Sequence, residues 1–259
     1  MLRSLKDLEG YTVTATDGDI GAVVDLLLDD ERWVARYLVV GATRFDDGRR
    51  VLVSPLSFLG TDWATRRFHV ALTTDKVRQC PSVDVDRPVT RQQERLFHEH
   101  YGYPMYWGAA GLLELGNATT LPPTGSDKPA DVHLRSARTI RGYDVQGTDE
   151  SVGRVEDFIV DDETWEIRYM AIDTNHWWFG KKVLIAPQWA DSIKWDEKKL
   201  HVGLSRQAVK DSPEWEPNAA INRRYETRLY DYYGRPAYWD SDVPTPDSPM
   251  PRRSEVGIR

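Results

Sequence analysis

The sequence predicts a mainly β protein with short helices, built as two tandem small antiparallel β-barrels in a pseudo-twofold arrangement. The first observation behind this prediction is an internal repeat. Residues 2–107 align with residues 134–239 at a constant shift of 132 without a gap, and thirty-four of the 106 aligned pairs are identical. Two copies of this length are typical of a duplicated domain, whereas a solenoid needs more and shorter repeats.

The second observation is the pattern inside each copy, and the third is how each copy ends. Short runs rich in Val, Leu, Ile and Tyr alternate with turn residues, which favours a small barrel or sandwich. A polar, helix-like segment followed by Gly and Pro closes each copy. The 259 residues thus divide into module 1 (1–107), a linker (108–133), module 2 (134–239) and a Pro-rich tail (240–259) that we expect to be disordered.

The strands follow in matching order in the two copies. An Asp17-Gly18 turn separates the first two predicted strands of copy one. A polar turn then joins the two strands of a longer hairpin in each copy. The predicted strands are Tyr11–Thr14, Ile20–Val24, Val23–Leu28, Val34–Val40, Val51–Val53 and Phe68–Leu72 in copy one, with Val155–Val160, Glu166–Ile172 and Val183–Ile185 as counterparts in copy two.

The helices are fewer. Ser4-x-x-Asp7 is typical of an N-cap pair and predicts a short first helix. Thr90–Tyr101 and Asn222–Tyr233 predict a helix at the end of each copy, since Gly102 and Gly234 follow directly as stop signals.

The composition excludes several classes of protein. A net charge of −7 and a pI near 5.4 argue against direct nucleic-acid binding, which needs a basic face. The single Cys80 excludes an intrachain disulfide framework and suits a reducing compartment. No apolar run reaches the roughly 20 residues of a spanning helix, and the N-terminus has no signal-like apolar region. We expect a cytoplasmic protein, and peripheral membrane association through a partner stays open.

Catalytic and metal-binding constellations are weak. His98-Glu99-His100 falls in a predicted helix, where side chains two residues apart diverge by about 200° and cannot easily share a metal. The acidic triplets at 29–31 and 161–163 fit turn chemistry better than a cation loop, which needs alternating ligands. His69 and His201 recur in register and fit structural roles, with a pH-responsive interface contact as the alternative. We therefore expect no enzyme activity, no metal and no cofactor.

The tryptophans carry more information. Six of the ten recur in register, which favours packing roles, and the other four lie in copy two. Residues 175–182 form an aromatic stretch in a predicted hairpin loop, where copy one is more polar. This loop either packs on the sister barrel or is a hot spot for a protein partner. The candidate partner-binding residues are Trp177, Trp178, Phe179, Lys181 and Lys182.

Several separated segments resemble the PRC-barrel family, named for the photosynthetic reaction-centre H subunit. They are the Leu-Arg-Ser start of each copy, the Gly-Tyr-x-Val segment and the stretches at 161–169, 183–187 and 229–239. The resemblance covers both copies and implies a small antiparallel barrel with an interaction role, not catalysis. The H subunit has an N-terminal membrane helix that has no counterpart in this sequence, so the resemblance does not extend to the whole subunit.

The resemblance implies a non-catalytic interaction or scaffold protein, linked to membrane-associated complexes such as reaction-centre-like assemblies, or to stress. One alternative is a protein that binds a small ligand or metal in the cleft between the barrels. Another is an adaptor associated with ribosomes or RNA processing, acting through protein contacts. A protein partner is expected under the leading hypothesis, and homo-oligomerisation stays open.

Overall fold

The computed structural model describes residues 1–106, 132–174, 181–217 and 219–240, except 44, 46, 47, 82, 83, 85 and 86. The architecture is mainly β, with two sheets and a few short helices. Trp107, the linker from 108 to 131 and the tail from 241 lie outside the described residues, so the predictions made for them stay predictions.

The first half contains eight strands and three short helices among its described residues. A short 3-10 turn at Pro55–Ser57 precedes the sixth strand. The strands are β1 (Leu2–Ser4), β2 (Thr12–Ala15), β3 (Gly18–Asp29), β4 (Val34–Gly41), β5 (Arg50–Val53), β6 (Phe58–Asp62), β7 (Arg67–Val70) and β8 (Val89–Thr90), and the helices are α1 (Leu5–Leu8), α2 (Thr74–Arg78) and α3 (Arg91–Tyr101).

The second half repeats this order except for β8, which has no counterpart among the described residues. A 3-10 turn at Pro187–Trp189 stands at the equivalent place. The strands are β9 (Val132–Ser136), β10 (Asp144–Gln146), β11 (Ser151–Asp161), β12 (Ile167–Asp173), β13 (Lys182–Ile185), β14 (Ala190–Lys194) and β15 (Lys199–Val202), and the helices are α4 (Ala137–Ile140), α5 (Arg206–Asp211) and α6 (Arg223–Tyr233).

Both sheets have the same strand order. One runs β5-β4-β3-β2-β7-β6 and the other β13-β12-β11-β10-β15-β14. All neighbours are antiparallel except β2 with β7 and β10 with β15, which are parallel. The sequence repeat therefore corresponds to a repeat of topology, and the mainly β prediction is confirmed.

Local sequence explains how the elements begin and end. The predicted helix after each barrel is confirmed, with Thr90 and Asn222 as N-caps and Gly102 and Gly234 as left-handed C-caps. Ser4 caps α1 by accepting a hydrogen bond from the Asp7 amide, as its spacing predicts. In the β3–β4 turn, Asp29 accepts hydrogen bonds from the amides of residues 31 and 32, which is the turn role assigned to this acidic triplet.

The N-terminal strand of each half belongs to the sheet of the other half. β1 pairs antiparallel with β11, with Leu2 opposite Asp161. β9 pairs antiparallel with β3, with Leu134 opposite Asp29. These two registers are related by the same shift of 132 residues, so the exchange is reciprocal. The sequence did not indicate this exchange, because it assigns β1 and β9 to their own modules.

Candidate functional site

The interface between the halves is the most elaborate feature of the described residues, and each exchanged strand is fixed by a buried aspartate. Asp25 accepts hydrogen bonds from the hydroxyl of Ser136 at 2.5 Å and from the amide of Arg138 at 3.1 Å. Asp157 accepts the equivalent bonds from the Ser4 hydroxyl and the Lys6 amide. Burial raises the pKa of both carboxyls, and these hydrogen bonds oppose that shift.

A tryptophan at the tip of each long hairpin packs on the core of the other half. Trp165 follows the β11–β12 turn and contacts Phe58 and Phe68, with ring centroids 5.3 and 6.0 Å away. Trp33 follows the β3–β4 turn and contacts Phe158 at 6.3 Å. Both have positive φ angles, 61° and 55°, a left-handed backbone conformation that is uncommon for a bulky residue. The recurrence of this pair in the sequence therefore reflects packing between the halves.

Arginines on the exchanged strands stack on a second pair of tryptophans. The Arg3 guanidinium lies 3.4 Å from the Trp63 ring centroid and pairs with Asp162 of the second half at 2.6 Å. Arg135 lies 4.1 Å from the Trp195 ring and pairs with Asp30 at 3.0 Å. The two ion pairs thus join the halves in equivalent places, while each cation–π contact holds the arginine against a tryptophan of its own half.

A buried glutamate fixes the terminal helix of each half on its sheet. The Glu94 carboxylate of α3 accepts hydrogen bonds from the Tyr37 and Tyr106 hydroxyls at 2.9 and 2.7 Å. In the second half, Glu226 accepts bonds at 2.8 Å from the Tyr169 and Tyr238 hydroxyls. These six residues, identical in type between the copies, form what we call the Glu–Tyr clamps.

The clamp of the first half also holds two histidines. His133 Nε2 lies 2.9 Å from Glu94 Oε2, and both side chains are fully buried. His98 Nδ1 donates to the Pro104 carbonyl at 2.8 Å, while its Nε2 lies 2.9 Å from the Tyr37 hydroxyl. Burial lowers the pKa of His98 and Glu94 partly offsets that effect. The copy-two residue at this place is Tyr230, which does not titrate near neutral pH.

The His-x-His pair of the sequence is not brought together. His100 contacts the Lys76 carbonyl through Nε2 at 2.8 Å, while His98 points into the clamp. Among the described residues, no three His, Cys, Asp or Glu side chains are arranged to hold a metal ion. Cys80 is buried, and burial raises the pKa of its thiol. In this part of the chain no arrangement of a nucleophile with a base is apparent around it.

The predicted partner-binding residues are only partly within the described chain. Trp177, Trp178 and Phe179 lie outside it. Lys181 donates to the Ser212 carbonyl at 2.6 Å, and burial lowers the pKa of its ammonium. Lys182 pairs with Glu156 at 2.6 Å. Both lysines thus have partners inside the chain, and their predicted contact with a partner stays a prediction.

Residues 133–203 match the model of the PRC-barrel domain. This part of the chain is a PRC-barrel domain. The matched residues run from β9 to β15. They therefore cover the second half's own strands of its sheet, together with β9, the strand that pairs with the sheet of the first half. A comparison with curated proteins found no match to this chain. The helices in the described part of the chain are too short or too polar to cross a bilayer.

Sequence reasoning missed the residues that join the halves. Asp25, Asp157, Glu94 and Glu226 are carboxylates identical in register between the copies, yet none was chosen as a site. The two aspartates could have been recognised from the sequence, because each interrupts the apolar run of an equivalent strand in its own copy. A polar residue at a buried strand position must find hydrogen-bond partners, and here another strand of the fold supplies them.

Proposed function

We propose that this protein is a non-catalytic interaction or scaffold protein whose two halves are both PRC-barrel modules. The observation that carries the proposal is the PRC-barrel match at 133–203 together with the identical strand order of the first half. The known roles implied by the family resemblance are interaction roles. Three of the residues considered for chemistry support this proposal, because His98, His100 and Asp29 make hydrogen bonds within the fold.

The interaction surface that we propose is the loop from 175 to 182 in the second half. Its flanking strands β12 and β13 are paired over four residues, so the fold holds both ends of the loop close together. Two further contacts, from the Trp215 amide to the Lys182 carbonyl and from Lys181 to the Ser212 carbonyl, hold the C-terminal end of this segment. An aromatic sequence whose two ends are held by the fold is well suited to a binding hot spot.

We further propose that the partner is a protein and that the complex forms in the cytoplasm. We also propose that the partner belongs to a membrane-associated assembly. The test is affinity purification from the native host with the full chain as bait, followed by binding measurements with each purified candidate. The double variant Trp177→Ala/Trp178→Ala is expected to raise the Kd of the true partner about tenfold or more.

The matched control is Leu56→Ala/Leu59→Ala, which removes two exposed apolar side chains from the first half, 48% and 67% exposed. It should leave the affinity unchanged. If the leucine variant loses the partner and the tryptophan variant keeps it, the surface lies on the first half and our assignment of the loop is wrong. If no purified candidate binds the wild-type chain, the scaffold proposal itself fails.

A further inference from the structure

A groove of about 510 Å³ opens at the junction of the two halves, and its charged lining comes from both. Lys6 and Glu9 of the first half face Arg138, Arg141 and Glu156 of the second half across it. Lys6 is equivalent to Arg138, and Glu9 to Arg141, under the 132-residue shift. The groove therefore lies on the pseudo-twofold axis, and neither half forms it alone.

The three cations that line this groove differ in whether they have a carboxylate partner. Arg141 pairs with Glu9, its own equivalent across the axis. Lys6 pairs with Glu156 at 3.2 Å, and Glu156 also accepts from Lys182 at 2.6 Å. Two of the three cations lining the groove thus have a carboxylate partner from the opposite half.

Arg138 is the exception because the pseudo-symmetry is broken at one position. The residue equivalent to Glu156 is Val24, so the carboxylate that pairs with Lys6 on one side is missing on the other. Among the described residues, the Arg138 guanidinium makes one hydrogen bond, to the Val24 carbonyl at 3.4 Å, and no ion pair. The lining then carries three cations against two carboxylates, in a chain whose overall charge is negative.

We propose that this groove binds a small oxyanion, which supplies the acceptor oxygens that the side chain of Val24 lacks. A planar guanidinium takes two oxygens of a carboxylate or phosphate at once, and its other contact here is a single long hydrogen bond. Lys6 is the second cation for a doubly charged ligand, because its only carboxylate partner in the described part of the chain, Glu156, is shared with Lys182. The ligand class is a dianion with two accessible oxygens, as in a phosphate or a short dicarboxylate. This site is independent of the aromatic loop and its protein partner.

The experiment titrates the full-length protein with inorganic phosphate and, separately, with succinate at constant ionic strength, observed by calorimetry and by backbone NMR shifts. We expect one saturable site for at least one of them, with shifts at residues 138–142. Arg138→Gln should raise the Kd about tenfold, because a charge-assisted pair is lost. Arg78→Gln, which removes an exposed arginine remote in sequence from the groove, is the matched control and should bind as the wild type does.

The decisive variant restores the missing acid. Val24→Glu places at this position the residue that the second half has, and we expect it to pair with Arg138 and to weaken anion binding as much as Arg138→Gln does. Because the two variants change different residues, their agreement excludes a simple folding defect, which far-UV circular dichroism and the melting temperature check directly. Absence of saturable binding of both anions to the wild type, or unchanged binding in Val24→Glu, would overturn the proposal.

Discussion

Gly21 and Gly153 illustrate at the scale of single residues how closely the strands of each half approach one another. A Cβ on Gly21 would lie 1.9 Å from the Gly41 carbonyl oxygen, and one on Gly153 would lie 2.3 Å from the Asp173 oxygen. Both glycines adjoin an irregularity in the strand pairing of β2 with β3 or β10 with β11. The recurrence of glycine at this point of both copies predicts a bulge or bend, and the close backbone approach is the physical reason.

Gly21→Ala is therefore expected to lower the free energy of unfolding by about 3 kcal/mol or more, because strand backbone must move to admit the methyl group. Gly60→Ala is the control, since a Cβ at that position meets nothing within 4 Å. It should change stability by no more than about 0.5 kcal/mol. Chemical denaturation of both variants measures the difference. If Gly21→Ala and Gly60→Ala changed stability equally, β3 and β4 would be able to move apart at little cost, which would contradict the close approach at Gly21.

The buried His98 leads to a prediction about how the stability of the protein depends on pH. Burial lowers its pKa in the folded protein below the usual 6.5, so on acidification the unfolded chain takes up this proton first. The contribution of His98 to stability is therefore complete above about pH 6.5 and decreases as the pH falls toward its folded pKa. His98→Tyr introduces the copy-two residue, and it should reduce the loss of stability between pH 7 and pH 5. Urea unfolding of both proteins across this range measures the change, and parallel pH profiles would show that His98 does not contribute.

At the scale of secondary-structure elements, the sequence predicted what depends on local signals. The hairpins, the two terminal helices and the Ser4 cap follow from patterns within a few residues of each element. The exchange of β1 and β9 was not predictable in this way, because three residues such as Leu2–Ser4 fit equally well at the edge of either sheet. Only a partner 155 or more residues away, Ile159 opposite Ser4, decides between them.

The hairpin-tip tryptophans give the prediction at this scale. Trp165 is 6% exposed and contacts two phenylalanines of the other half, whereas Trp33 is only partly buried and contacts one. Trp165→Ala should cost about 3–5 kcal/mol of stability, and Trp33→Ala distinctly less. The pair is well matched, because both positions have positive φ and alanine is equally strained at each. An equal or larger loss for Trp33→Ala in thermal or urea denaturation would contradict the described packing.

For the whole molecule, the strand exchange predicts that the two halves unfold as one cooperative unit. Each sheet includes a strand from the other half, each core receives a tryptophan from the other half, and two Arg–Asp pairs cross between them. The sequence predicted a pseudo-twofold pair but left the contact between the barrels undetermined, because a repeat shows equivalence without showing adjacency. The extent of contact follows from structure alone, and it implies that neither half reaches its native packing without the other.

The final prediction tests this unity by cutting the chain between its halves. A protease site inserted near residue 120 separates residues 1–106 from residues 132–240 without removing any described contact. The two fragments should co-elute in size-exclusion chromatography as one particle of the original size, because strands β1 and β9 remain paired across the cut. Urea should release and unfold both fragments in one transition, followed by tryptophan fluorescence and circular dichroism. The uncut protein carrying the same inserted site is the control. Fragments that separate in native buffer, or that unfold in two distinct transitions, would show that each half holds its fold without the exchanged strand of the other.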